Sequence, residues 1–242
     1  LSANNLLRPQ DGQPVTVPTQ DMILGSYYLT YTREEEGTGK AFASPDEAIM
    51  AYAAGAVAIH SPIKVRVTKT IDGVEHKKLV DTTVGRIIFN EPIPQDLGYV
   101  DRTNPDTMFD YEISFRVGKK QLQDMIERCI TKHGFTISAE MLDNVKALGF
   151  KYSTKGALTI SIADMTVPSA KQELIEATEK KVLDIERQYK RGFITNDERY
   201  RLVVSEWEET TKEVTNALED SLDEFNPIYM MANSGARGSM NQ

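Results

Sequence analysis

The stretch after Pro168 leaves this chain the least freedom. Ile175, Thr178, Val182, Ile185 and Tyr189 recur at three- and four-residue steps, the a/d spacing of a helix that packs along another helix. Tyr200, Val203, Trp207, Thr210, Val214 and Ala217 repeat the pattern. Between the two runs lies "KRGFITNDER" (190–199), in which Gly192 suits a left-handed C-terminal cap and Thr195 with Glu198 suits a capping box for a return helix. The pattern predicts an antiparallel helical hairpin over about 169–191 and 195–222. Its outer faces carry many Glu, Lys and Arg, which is ordinarily a solvated surface.

Upstream the periodicity changes. Pro9, Pro14 and Pro18 exclude a helix before Asp21, and "PVTVPTQD" reads as short extended pieces. "DMILGSYYLTYT" is apolar enough for a buried helix or strand. Ser44 as N-cap, Pro45 at the first position and Glu47 at the third start a helix that runs to about Tyr52 and stops before Gly55. In "IKVRVTKTIDGVEHKKLVDTTVGRIIF" (63–89), Ile63, Val65 and Val67 alternate with polar residues, and Asp72–Gly73 supplies a tight turn. This predicts an antiparallel hairpin, followed by a proline-marked loop and helices over about 119–132 and 138–148. "ALTISIADM" alternates at Leu158, Ile160 and Ile162 and predicts another strand. The fold class is α+β: mixed helices and short antiparallel strands, then the long helical hairpin.

Composition narrows the function. With 242 residues, 40% of them hydrophobic, the chain has enough material for a real core. A net charge of −8 argues against a self-sufficient nucleic-acid binder, because affinity for phosphate backbones comes from clustered Lys and Arg. The longest nearly apolar run, "AIMAYAAGAVAI" (48–59), contains Gly55 and is too short to cross a bilayer, so no membrane partner is expected. The chain opens on Leu1 with neither a basic start nor an apolar signal core, so a trimmed start is expected rather than a mature secreted form. Cys129 is the single cysteine, which excludes a disulfide framework and fits a reducing, cytoplasmic setting. Leu122, Met125, Ile126 and Ile130 share its helical face, so it reads as a core residue. His60, His76 and His133 lack ligand spacing, and no metal site is expected from them.

Two catalytic-looking strings fail on their spacing. "GTGK" (37–40) lacks the earlier glycine of a phosphate-binding loop, and Ala41 stands where Ser or Thr should bind magnesium. "SPIK" (61–64) matches a Ser-x-x-Lys nucleophile, but Pro62 leads into a strand, where alternation separates the two side chains. "NSGARGS" (233–239) is different in kind. Gly235 and Gly238 flank Arg237, so backbone N–H groups can approach an anion while the guanidinium forks two phosphate oxygens. Taken alone, a flexible glycine loop with a solvated arginine explains the string equally well.

Four long stretches carry a resemblance, in order: "LSANNLLRPQDGQPVTVPTQDMILG", "VDTTVGRIIF", "SIADMTVPSAK" and "NPIYMMANSGARGSMNQ". Together they resemble the largest catalytic subunit of bacterial DNA-directed RNA polymerase, the β′ subunit, over essentially the whole chain. Members of that family are several times longer, so the chain reads as an internal segment that would continue past Gln242. The resemblance assigns 1–167 to the pore domain and 168–242 to the funnel domain, with the hairpin as its rim helices and a C-terminal loop. Together these wall the secondary channel, through which nucleoside triphosphates enter and the 3′ end of backtracked RNA is extruded.

The same resemblance supplies site residues and partners. Gln20 and Arg237 match positions at the inner end of the channel and are expected to contact substrate. The hairpin tip, with Phe193 and Ile194 among Lys190, Arg191, Asp197 and Glu198, is expected to dock Gre-type transcript cleavage factors. Ile194, just before the Thr195 cap, also fits a hydrophobic staple packing back on Arg199 or Tyr200. Other implied partners are the rest of the β′ chain and the β and ω subunits, with DNA met only through the whole complex. In some members an alarmone, ppGpp, binds beside ω through a lysine, an aspartate and a tyrosine. Asp143 matches the aspartate, but Thr136 and Ala147 stand in place of the other two, removing a cation and an aromatic contact. No Asp-x-Asp-x-Asp cluster is present, so magnesium belongs elsewhere in the complete enzyme and the segment alone is expected to be inert. The alternative from another class is a free-standing coiled-coil adaptor; it should end in a capped element, where this chain ends in a loop.

Overall fold

The structure, a computed structural model, describes residues 5–71 and 74–239. It divides into two compact units: Leu1–Leu158 with Asn233–Arg237, and Thr159–Ala232 with Gly238–Gln242.

In the first unit, α1 (Asp21–Thr30) lies against α4 (Lys119–Gly156) with their backbones touching. A Cβ on Gly25 would stand 1.9 Å from the Gly149 carbonyl oxygen, and one on Gly149 would stand 2.6 Å from that of Met22. Only glycine permits this crossing. The stretch over 21–32, which the sequence allows as helix or strand, is thus helical as far as Thr30, and Tyr31 is extended. Ser44 caps α2 (Pro45–Ala53) by accepting from the Glu47 N–H at 3.2 Å, as its spacing predicts.

β2 (Ile63–Ile71) and β3 (Val74–Thr82) form the predicted antiparallel hairpin, in register from Ile63 opposite Thr82 to Ile71 opposite Val74. The Asp72–Gly73 turn itself lies outside the described residues. A two-residue strand, β1 (Ala41–Phe42), pairs parallel to β2. The hairpin region does not extend through "VGRIIF" as its apolar run implies. Thr83 instead accepts a hydrogen bond from the Arg86 N–H at 3.2 Å and starts α3 (Val84–Asn90).

The core gathers Leu29, Val65, Phe89, Ile113, Leu122 and Cys129, all of them buried. The irregular stretch before α4 is held by polar groups inside the fold. Glu112 is fully buried, and its carboxylate accepts from the Tyr99 N–H at 2.8 Å and from Arg102 at 3.0 Å. Asn90 exchanges two hydrogen bonds with the Ile113 backbone, at 2.9 and 3.0 Å. Buried backbone groups with no ladder to join need partners of this kind.

Two helices were expected between 119 and 148, and α4 contains both, joined across Gly134, whose φ of 74° is not helical. The second runs beyond Leu148 to Gly156, because Gly149 serves as a packing surface for α1 rather than as a terminator.

The second unit holds α5 (Lys171–Lys190) and α6 (Asn196–Ser221), the predicted hairpin to within a few residues. Its seam is narrower than the heptad reading implies. Thr178, Ile185 and Thr210 are buried, whereas Tyr189, Tyr200 and Trp207 are exposed. The expected strand at 157–165 does not form. Ile160 is 48% and Ile162 88% exposed, and the segment closes into a single 3-10 turn at Ile162–Asp164, in which the Ser161 N–H donates to the Asp164 carboxylate at 2.7 Å. Alternation marks a strand only where a neighbouring strand completes the ladder. The C-terminal region is also not loop throughout, since α7 (Pro227–Asn233) precedes the glycines. The α+β class stands.

Candidate functional site

Arg237 stands on a loop whose start is tied down and whose tip is free. Tyr27, in the last turns of α1, is buried, and its hydroxyl accepts from Asn233 Nδ2 and from an Arg116 guanidinium nitrogen, each at 3.2 Å. The Arg116 guanidinium also lies 5.5 Å from the Tyr27 ring centre, a cation–π contact. One residue on, the Ser234 carbonyl accepts from the Lys119 N–H at 2.9 Å at the start of α4, and the Ser234 hydroxyl accepts from the Ala236 N–H at 3.2 Å. Gly235 takes a φ of 74° and lies so close to Lys119 that a Cβ there would stand 3.0 Å from the Lys119 Cβ. Gly238 is also left-handed, at 78°. Arg237, between them, is exposed and forms no hydrogen bond or ion pair with the described residues.

The neighbourhood is cationic. Burial, and then the adjacent Arg116, pull the Arg86 guanidinium below its ordinary value, and Arg86 Nε donates to the Thr30 carbonyl at 3.0 Å. Thr30 in turn accepts from the Val117 N–H at 2.9 Å, which fixes the chain just before α4 to the end of α1. An exposed guanidinium, on a loop fastened to the Tyr27 hydroxyl that Arg116 also bonds, suits a polyanion.

Gln20 sits in the same unit, at the opposite end of α1. It is the N-cap, with φ 46° and ψ −114°, a combination that favours glycine, and its side chain does not cap the helix. The residue is exposed. Seven residues of helix separate Gln20 from Tyr27, roughly 10 Å at 1.5 Å per residue. Gln20 thus begins α1, and the loop that carries Arg237 is fastened through Asn233 to Tyr27 near the other end of that helix.

The family model described as "RNA polymerase Rpb1, domain 3" matches residues 5–165. The chain belongs to the RNA polymerase Rpb1 family. A second model, "RNA polymerase Rpb1, domain 4", matches residues 194–242. The chain is 57% identical over its whole length to the DNA-directed RNA polymerase β′ subunits of Acetivibrio thermocellus and Thermoanaerobacter pseudethanolicus, and 56% identical to that of Clostridium novyi. It spans about a fifth of the length of these curated relatives, 20–21%.

Within this Rpb1-family chain the hairpin tip is the other candidate surface. The Phe193 N–H donates to the Gln188 carbonyl and the Gly192 N–H to that of Tyr189, at 3.0 and 2.9 Å, which is a Schellman turn with Gly192 at φ 77°. Thr195 and Glu198 then close the capping box, the Thr195 N–H donating to Glu198 at 2.8 Å. These bonds lower the Glu198 carboxyl below its ordinary value. Phe193 is 72% exposed, while Ile194 is half-buried. Lys190, Arg191 and Asp197 are all exposed around them. Arg199 covers the Tyr189 ring at 5.2 Å, so one cation of the tip is engaged in stacking.

The remaining residues have structural partners. Lys40 of "GTGK" donates to the Ala56 carbonyl at 2.7 Å, and Ser61 of "SPIK" donates to that of Glu36 at 2.8 Å. Asp143 pairs with Lys146 one turn on, at 2.7 Å, and Thr136 and Ala147 are exposed. Cys129 is buried, and that burial pushes its thiol up, away from the reactive thiolate. Among the described residues no three His, Cys, Asp or Glu side chains converge as a metal site, and no helix is long and apolar enough to cross a membrane.

Sequence reasoning missed Tyr27, Arg116 and the fastening of Asn233. Asn233 and Tyr27 are 206 residues apart, so no local spacing could expose the contact.

Proposed function

We propose that this chain is the segment of a DNA-directed RNA polymerase β′ subunit that walls the secondary channel, and that it takes part in DNA-templated RNA synthesis in the cytoplasm without supplying the metal-binding carboxylates. In this reading the first unit carries Gln20 and Arg237 on the path of incoming nucleoside triphosphates and of extruded RNA. The hairpin tip receives Gre-type cleavage factors. The partners are the rest of β′, the β and ω subunits and, through them, DNA. The pore and funnel divide near residue 167. Magnesium is held by the remainder of the enzyme, where it activates the 3′ hydroxyl and stabilises the leaving pyrophosphate.

The observation that carries the reading is the exposed Arg237 between two left-handed glycines on an anchored loop, in a chain 57% identical to β′ subunits. Glycine at both flanks clears the approach of a bulky polyanion, and a guanidinium offers two parallel donors to its oxygens. The test is Arg237→Ala in the assembled polymerase. Loss of one charge-assisted contact is expected to cost about 1.5–3 kcal/mol at most, seen as slow elongation at limiting nucleotide and a near-normal rate at saturation. Normal elongation at limiting nucleotide would remove Arg237 from the substrate path.

A further inference from the structure

We infer that Tyr27 is a positioning residue for Arg237, its hydroxyl acting as the fixed point from which the glycine loop is hung. The inference rests on reading Arg237 as a nucleotide contact. Arg237 makes no bond with the described residues, so its direction is set through the backbone that precedes it. Among the ties of that backbone to the rest of the first unit are Asn233 on the Tyr27 hydroxyl and the Ser234 carbonyl on the Lys119 N–H. The Tyr27 joint is made by side chains, so a substitution can remove it without touching the backbone.

The chemistry of the joint is asymmetric. Asn233 Nδ2 and the Arg116 guanidinium can only donate, so the phenolic oxygen accepts from both, using both of its lone pairs. Tyr27 is 2% exposed, which keeps water from replacing either donor. Its ring is held by the Arg116 stack and by Tyr31, with ring centres 6.4 Å apart, so the oxygen has little freedom to wander. From Asn233 the chain passes one left-handed glycine before Arg237. Gly235, held at φ 74° against the Lys119 side chain, carries the set of that backbone on to Arg237. Releasing Asn233 therefore frees the arginine to sample directions that miss the phosphates, without removing its charge.

The experiment uses the complete polymerase carrying Tyr27→Phe, Arg237→Ala, or both. Phenylalanine keeps the ring and removes only the acceptor. The expected result is a rise of about three- to tenfold in the nucleotide concentration for half-maximal elongation, the scale of one lost hydrogen bond, with the saturating rate unchanged. The double variant should match Arg237→Ala alone, because the two changes act on one contact. If Arg237→Ala has no effect, the parent reading fails. If Arg237→Ala is impaired while Tyr27→Phe keeps the normal half-saturation, or while the two effects multiply, the positioning role is overturned. A fall in saturating rate at unchanged half-saturation would mark a purely structural role and overturn it too. Should Tyr27→Phe not assemble, Asn233→Ala, at an exposed position, decides by the same criteria.

Discussion

Gly25 and Gly149 show how much a single hydrogen atom in place of a methyl group decides. A Cβ at Gly25 would lie 1.9 Å from a carbonyl oxygen of α4, and backbone cannot step aside as a side chain tip can. Gly25→Ala is expected to destabilise the first unit by about 3 kcal/mol, the upper end of overpacking costs, read as a lower midpoint in chemical denaturation. His60 supplies a second expectation. Its Nε2 faces the Tyr28 carbonyl at 2.9 Å, its Nδ1 faces Glu35 at 3.5 Å, and its ring stacks on Tyr31 at 3.9 Å. Burial lowers its pKa, outweighing Glu35 and the hydrogen bonds that raise it, while Arg33 adds a smaller lowering. The folded ring thus stays neutral where an unfolded histidine, titrating near 6.5, takes up a proton. The contribution is fully present above about pH 6.5 and is lost as pH falls below it. His60→Gln, which keeps a donor for Tyr28, should flatten the fall of the melting midpoint between pH 7 and pH 5; an unchanged slope would rule out His60 as its source.

At the scale of elements, the α5–α6 turn separates stability from docking. Gly192 is left-handed with open space around it, so Gly192→Ala meets no clash and should cost only the strain of a left-handed alanine, about 1–2 kcal/mol. Phe193 is already in solvent, and Phe193→Ser should change melting by less than about 0.5 kcal/mol while reducing factor-stimulated RNA cleavage in the assembled polymerase. Full stimulation with normal melting would remove Phe193 from the docking surface. This hairpin was legible because all its determinants are local: seam spacing, a glycine stop and a capping box. α3 was not, since "VGRIIF" is apolar on every side and its type is decided by the Thr83 cap rather than by period. The alternation at 158–162 misled for the opposite reason, because a strand is completed only by a neighbour that the sequence does not display. Arg237 was legible in the glycines around it, and a resemblance added its expected place and that of Gln20. The Tyr27 hydroxyl that two donors share belongs to tertiary structure alone.

For the whole molecule, the two units differ in how much they bury. The first has a continuous core running from Leu6 to Tyr152, whereas the second buries only Pro168, Thr178, Ile185, Thr210 and Met230 among its described residues. Few buried apolar contacts mean low local stability. The single tryptophan, Trp207, lies in the second unit, so its fluorescence reports that unit alone. On heating, the Trp207 signal should change at a lower temperature than the loss of amide hydrogen-exchange protection in α1 and α4. Coincident transitions would show that the thin seam of the hairpin is not the weaker element.

Gln20 spends its backbone in a conformation that a glycine would adopt without strain. Gln20→Gly should therefore make the protein somewhat harder to unfold, by up to about 1–3 kcal/mol of released strain, less the entropy glycine forfeits on folding. If the side chain guides nucleotides, the same change should leave the polymerase slower at scarce substrate. Such antagonism, tougher but less competent, would mean that position 20 has been kept for work rather than for durability.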